Sequence, residues 1–274
     1  MIEYFDMLHV YNNLLKNKRG YISKISEPKI AVMLFSGGID SIITTARMIE
    51  DFGFEIFPLY FRRKKINIGE EKSIEFFNDY YLKRYKNLFH KLNIVDLDSP
   101  PSQWLDNLQA YKEKSKKIDF EPFENVMRYG YPLRDNIFNC FAVQYAVAMS
   151  YRHNKVIKTI FNGLIDSDNY LHGNILSMRT NTIMTCQSMD DWEWQIISPN
   201  IDLEFNNNFL FNKKDEILWS IKHNIPLEYS ISCWHPVLDK NNNLLCCGCC
   251  DGCLGRKEIY ESMNLTDKIL YINN

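Results

Sequence analysis

Hydrophobic positions change their spacing several times along the chain, and each change marks an element. In the first 28 residues apolar side chains recur at helical intervals (Phe5, Leu8, Tyr11, Leu15), which predicts an amphipathic helix and then a linker ending at Pro28. The next run, Lys29 to Phe35, is short and almost continuously apolar, as expected for a strand buried on both faces of a parallel sheet. Helical spacing returns over Ser41 to Phe52 (Ile42, Ala46, Ile49), and Gly53 is placed to end it. Glu55 to Phe61 reads as a second strand, in which Pro58 predicts an end or a bulge.

Beyond it, Glu70 to Leu92 predicts a long aromatic-rich helix, residues 93–98 a third strand, and the stretch to about 135 mostly loop. Asn136 to Ser150 is nearly all apolar, which predicts a buried helix. A fourth strand over 155–163 ends at Gly163, followed by a helix over 174–191, a strand within 194–199 and a helix within 213–224. Strands alternating with helices predict an α/β fold, a doubly wound parallel sheet covered on both faces.

Composition narrows the class. The chain has 274 residues and is 46% hydrophobic, so it can supply a large core and disorder is excluded. A net charge of −2 gives no general attraction to nucleic acid, and the run Arg62-Arg63-Lys64-Lys65 reads as a solvated loop. No stretch approaches the ~18 consecutive apolar residues of a membrane span. Glu3 and Asp6 near the start do not fit a signal peptide. The expectation is a soluble, cytoplasmic protein without a membrane partner.

Two features carry chemistry. Phe35-Ser-Gly-Gly-Ile-Asp-Ser41 follows the first strand, at the sheet edge where open α/β folds bind ligands. Paired glycines let main-chain amides approach an anion, and the start of the following helix adds unpaired N–H groups. Ser36 and Ser41 can donate to phosphate oxygens. Asp40 would repel a bare phosphate, which points either to bound Mg²⁺ or to a capping role. Neither G-x-x-x-x-G-K-[ST] nor G-x-G-x-x-G occurs, so a P-loop and a dinucleotide site are unsupported.

The second feature is sulfur. Cys140 and Cys186 stand alone, whereas Cys233, Cys246, Cys247, Cys249, Cys250 and Cys253 crowd together near the end. Adjacent cysteines pair poorly, so the cluster reads as a metal site and not a disulfide framework. Cys247, Cys250 and Cys253 on a tight turn, with Cys233, make a tetrahedral four-thiolate site suited to Zn²⁺ ahead of an iron–sulfur cluster. Cys246, Cys249 and His235 remain alternative ligands.

The sequence Ser36-Gly-Gly-Ile-Asp-Ser41 resembles the PP-loop of the N-type ATP pyrophosphatase superfamily, which implies a HUP-like fold with ATP and Mg²⁺. Together with Cys233, the C-G-x-C-x-x-C run and Arg256, it is similar to the 7-cyano-7-deazaguanine synthase (QueC) family over roughly residues 29–260. The resemblance implies an ATP-dependent C–N ligase of queuosine biosynthesis. Such an enzyme adenylates a 7-deazaguanine carboxylate and, with ammonia, converts it to amide and then nitrile. It assigns Ser36, Gly37, Gly38, Asp40, Ser41 and Gly163 to the nucleotide. Cys233, Cys247, Cys250 and Cys253 fall to Zn²⁺, and Asp40 and Arg134 to catalysis. Arg134, Asp166 and Asp168 fall to substrate, and a homodimer is expected from the family.

Departures accompany this. Tyr60-Phe61-Arg62-Arg63-Lys64 replaces the family's Y-G-Q-R-H stretch, Asp135 replaces an asparagine, and His172-Gly173-Asn174 stands where Y-P-D-C is expected. They imply a divergent member acting on a related carboxylate, or on a protein or nucleic-acid acceptor. The alternatives are a PP-loop tRNA sulfur transferase and a non-catalytic nucleotide-binding zinc module. The expected organisation is a helical extension over 1–28, a PP-loop domain over 29–225 and a zinc-binding segment over 226–274.

Overall fold

The computed structural model describes residues 2–63, 68–99, 101, 103–104, 133–165 and 173–272. Five parallel strands form one sheet in the order β3-β2-β1-β4-β5: β1 (Ile30–Leu34), β2 (Glu55–Arg63), β3 (Asn93–Leu97), β4 (Thr159–Phe161) and β5 (Gln195–Ile197). The order reverses beside β1, so the edge beyond the β1 and β4 carboxyl ends is the crevice where a ligand fits.

Side-chain alternation along β1 divides the core. Ala31 and Met33 join Phe35 in a cluster on one face with α2 (Ile39–Glu50), α3 (Ile68–Tyr85) and α6 (Lys213–Lys222). Ile30 and Val32 face the opposite cluster, built with Ala142, Val143 and Ala146 of α4 (Arg134–His153) and Met178 and Cys186 of α5 (Ile175–Ser188). Strands β1, β2, β4 and β5 are covered on both sides and β1, β2 and β4 run mostly apolar, whereas the edge strand β3 alternates and leaves Ile94 and Asp96 exposed.

Three expectations are corrected. Pro58 neither ends nor bulges its strand: β2 runs through it, with Pro58 in register with Met33. Glu55 N and Leu59 O bond towards β1 and Ile56 O towards His90, so alternation turns the Pro58 nitrogen to the β3 side. The β3 ladder starts only at Leu59, so no bond is lost there. The helix expected to reach Leu92 stops at Tyr85, where a 3₁₀ turn (Lys86–Leu88) begins with Lys86 at φ 50°. Helix α4 buries one face and not its whole surface: Asn139, Ala142, Val143 and Ala146 are covered, while Phe141 is 37% exposed.

The first helix, α1 (Ile2–Arg19), packs on α5. Leu15 is fully buried, and the Arg19 guanidinium donates to the carbonyls of Trp194 (2.7 Å) and Trp192 (3.2 Å). Asn12 accepts from Arg179, which forms a buried ion pair with Asp202 at 2.6 Å. Near the carboxyl end a two-stranded antiparallel ribbon, β6 (Val237–Leu238) with β7 (Leu244–Leu245), leads into α7 (Asp251–Ser262). No helix among the described residues is long and apolar enough to cross a membrane.

Candidate active site and metal centre

The 35–41 loop is held open from behind. Gly37 has φ +78°, in the left-handed region that favours glycine, and its carbonyl accepts from Ser73 Oγ (2.7 Å) and from the amide of Ile231 (3.1 Å). Because the peptide is planar, pinning that carbonyl turns the Gly38 N–H the other way. Ser41 is buried; its Oγ donates to the Gly38 carbonyl (3.1 Å) and accepts from the Ser36 amide (3.2 Å). Helix α2 then begins with Gly38 as its N-cap and no capping side chain, so the amides of its first turn have no acceptor within the helix. Gly163, two residues past β4, which stops at Phe161 and not at the glycine, closes against this turn: a Cβ there would lie 2.8 Å from the Ser41 nitrogen and Cα. An anion is what such a loop is built to receive.

A cavity of about 300 Å³ opens in front of the loop, lined by Ser36, Asp40, Ser41 and Gly163 together with Arg134. Its other walls are apolar and aromatic (Leu34, Leu59, Phe61, Phe138), with Tyr60, Arg63 and Glu70 at one side. Glu70 accepts from Tyr60 OH (3.0 Å) and from Arg63 (3.3 Å). Burial and that carboxylate push the Tyr60 phenol up, so it stays a donor. Arg134 Nε lies 2.8 Å from Asp135 Oδ1. Asp166 and Asp168 lie outside the described residues, as do Pro132 and His172.

Asp40 does not cap its helix. Its carboxylate is ion-paired with Lys213, the first residue of α6, a contact that no local sequence signal announces. Lys213 also lies 3.4 Å from Glu216 Oε2, and Glu216 is completely buried, with Oε1 accepting from Asn200 (3.1 Å). Burial and then the Asp40 charge drive the Glu216 carboxyl well above the usual range, so it sits there as a neutral acid. For Asp40, burial opposes ionisation, but Lys213 and the hydrogen bonds from Glu216 and Lys213 outweigh it and hold the group below its ordinary value.

The sulfur of Cys233 meets those of Cys247, Cys250 and Cys253, all four within 4.8 Å of one another. A tetrahedron with metal–sulfur bonds of about 2.3 Å needs sulfur–sulfur edges near ~3.8 Å, and Cys247 and Cys253 lie 3.9 Å apart. Main-chain amides already serve the sulfurs: Cys247 N to Cys233 Sγ (3.2 Å), Trp234 N to Cys250 Sγ (3.4 Å) and Cys250 N to Cys247 Sγ (3.4 Å). The backbone amide of Cys249 is the main influence pulling the Cys247 thiol down to about 6. The donor set fits a metal ion. Cys246 is instead a core residue, pairing through its backbone with Leu270 and Ile272, and Cys249 is exposed. Neither they nor His235 belongs to the sulfur group.

A parallel sheet with a Ser-Gly-Gly-x-Asp-Ser loop behind its first strand, a cavity against that loop and a four-cysteine centre define a PP-loop ATP-dependent enzyme. The family model described as queuosine biosynthesis protein QueC matches residues 30–264, and the chain belongs to that family. It is similar to the 7-cyano-7-deazaguanine synthase of Rickettsia akari, 26% identical over 246 residues that cover 89% of this chain and 100% of the relative. The synonymous enzyme of Nautilia profundicola is 24% identical over 245 residues, covering 89% and 98%. Among solved structures, the U34-tRNA thiolase NcsA of Methanococcus maripaludis aligns with a TM-score of 0.39 at 12% identity, covering 94% of this chain and 73% of its own. That likeness is too loose to add to the fold described above.

Proposed function

We propose that the chain adenylates a 7-deazaguanine-type carboxylate with ATP and, with ammonia, converts it to the amide and then the nitrile, 7-cyano-7-deazaguanine being the expected product. The observation that carries this reading is that the anion loop and the sulfur quartet lie within a single family match over residues 30–264. Ser36, Gly37, Gly38, Ser41 and Gly163 would hold the triphosphate through main-chain N–H groups and hydroxyls, and Asp40 would face the accompanying Mg²⁺. Arg134, at the cavity wall, would orient the carboxylate. Cys233, Cys247, Cys250 and Cys253 would hold Zn²⁺ as a closed structural centre.

The chemistry needs no protein nucleophile. A carboxylate resists attack because its leaving group would be oxide. Its oxygen attacks the α-phosphorus, pyrophosphate departs, and the acyl carbon now carries AMP. Ammonia adds there and expels AMP with loss of a proton, giving the amide. A second adenylation, on the amide oxygen, expels pyrophosphate; AMP then leaves with the amide oxygen, the nitrogen gives up both its protons, and the C≡N bond forms. Loop amides oppose charge developing on the departing pyrophosphate, the preorganised stabilisation that usually contributes most to such a step. Incubation with ATP, Mg²⁺, ammonium and 7-carboxy-7-deazaguanine should release two AMP and two pyrophosphate per nitrile. Stoichiometry of one would place the end point at the amide, and absence of both products with that acid would refute the proposal.

A further inference from the structure

Asp40 poses an electrostatic question that the loop alone does not answer: a carboxylate stands beside main-chain donors arranged for an anion. Its partner comes from the far end of the chain. Lys213 opens α6, where a capping box holds the helix start: the Asn212 side chain accepts from Asp215 N (3.1 Å) and Asp215 accepts from Asn212 N (3.0 Å). A cation at a helix N-terminus opposes the helix dipole, so this position needs compensation. Asp40 supplies the charge, and the uncharged Glu216 carboxyl adds a polar contact 3.4 Å from the ammonium.

Behind them the support is rigid. Asn200 donates to Glu216 and to Thr44 Oγ1 (2.8 Å) and accepts from Arg47 (2.8 Å), all fully or almost fully buried where α2 packs on α6. The ammonium is thus carried on a flexible stem from a fixed base and directed at the loop's acid. Lysine suits this arrangement, as a compact charge with three rotatable donors.

Resting on the nucleotide reading of the loop, we propose that Lys213 is a phosphate-gripping residue, held on Asp40 until the phosphate oxygens of the nucleotide arrive and then transferred to them. A polyphosphate offers several charged acceptors where Asp40 offers one carboxylate, so the exchange favours the nucleotide. Glu216 remains buried as the backstop that keeps the ammonium at the loop.

The test is calorimetry on the full-length, metal-loaded chain with inorganic pyrophosphate and with ATP, in Mg²⁺. Lys213→Met should weaken pyrophosphate binding by about 10- to 100-fold, the usual range for losing a hydrogen bond to a charged group. Lys213→Arg should recover part of the loss, and Lys214→Met, at an exposed neighbour, should bind as wild type. Lys213→Met that melts and binds pyrophosphate like wild type overturns the proposal. If that variant does not fold, amine acylation of wild type read by mass spectrometry replaces it. Pyrophosphate should then shield Lys213 and not Lys214, and equal labelling overturns the proposal. A wild type that binds neither pyrophosphate nor ATP removes the nucleotide reading itself, which separates the two failures.

Discussion

Replacing Gly163 with alanine adds one methyl group where β4 meets the loop. Its Cβ would stand 2.8 Å from the Ser41 nitrogen and Cα and 3.1 Å from the Asp40 carbonyl carbon. Ordinary contact begins at 3.4 Å, so the backbone must open by roughly 0.6 Å, and the obstructing atoms are main chain with no rotamer to yield. Forced overpacking of this kind costs about 1–3 kcal/mol, or a melting temperature lowered by roughly 2–10 °C in a chain of this size. Binding should suffer as well, because the atoms displaced belong to the first turn of α2. Misplacement on the order of 1 Å can cost a hundredfold in rate, so ATP–pyrophosphate exchange should fall about tenfold or more. Gly255→Ala is the control: it lies inside α7 with nothing within 4 Å, and should stabilise by about 0.5–1 kcal/mol through the unfolded state. Circular dichroism melts and nucleotide calorimetry read both variants. Gly163→Ala with wild-type stability and wild-type affinity for ATP would refute the close approach of strand and loop.

Other expectations follow from separate parts of the molecule. Elemental analysis should find about one zinc per chain, with no absorption near 400 nm of the kind given by an iron–sulfur cluster; Cys253→Ser should lower both the zinc content and the melting temperature. Arg179→Met leaves Asp202 buried without its cation and should cost about 3–5 kcal/mol by urea denaturation, with no loss expected if α5 rearranges to expose the acid. Glu55 opens β2 between Lys155 (2.6 Å) and His90 (2.6 Å). Burial works against its ionisation, but hydrogen bonds and charge from those neighbours prevail and hold it below its ordinary value of 4.5. Its contribution is therefore fully present above about pH 4.5 and is lost as pH falls through the lowered folded value. Glu55→Gln should flatten acid unfolding in that window, and an unchanged slope would count against the pairing.

Local chemistry was legible in the sequence, and distant chemistry was not. The loop's glycines and serines, and the spacing of Cys247, Cys250 and Cys253, lie within a few residues of one another, so their purpose survives without coordinates. Lys213 reaches Asp40 from 173 positions away, and nothing in KKDEIL distinguishes it from a solvated lysine at a helix start. Pro58 misled because a proline penalty depends on which side the missing N–H faces, which register decides. In α4 the apolar count over Asn136 to Ser150 predicted burial, whereas packing against the sheet and α5 covers a single stripe and leaves Phe141 partly in solvent.

The Gly37 carbonyl is shared between a hydroxyl on α3 and the amide of Ile231, two positions ahead of the first clustered cysteine. The tail of the polypeptide is consequently scaffolding for its head. Stripping the sulfur centre should not leave a healthy nucleotide pocket attached to a frayed end; it should slacken one of the two struts that give the glycine turn its shape. A deletion placed just before Ile231 would remove that strut outright, disarming residues close to the beginning of the chain.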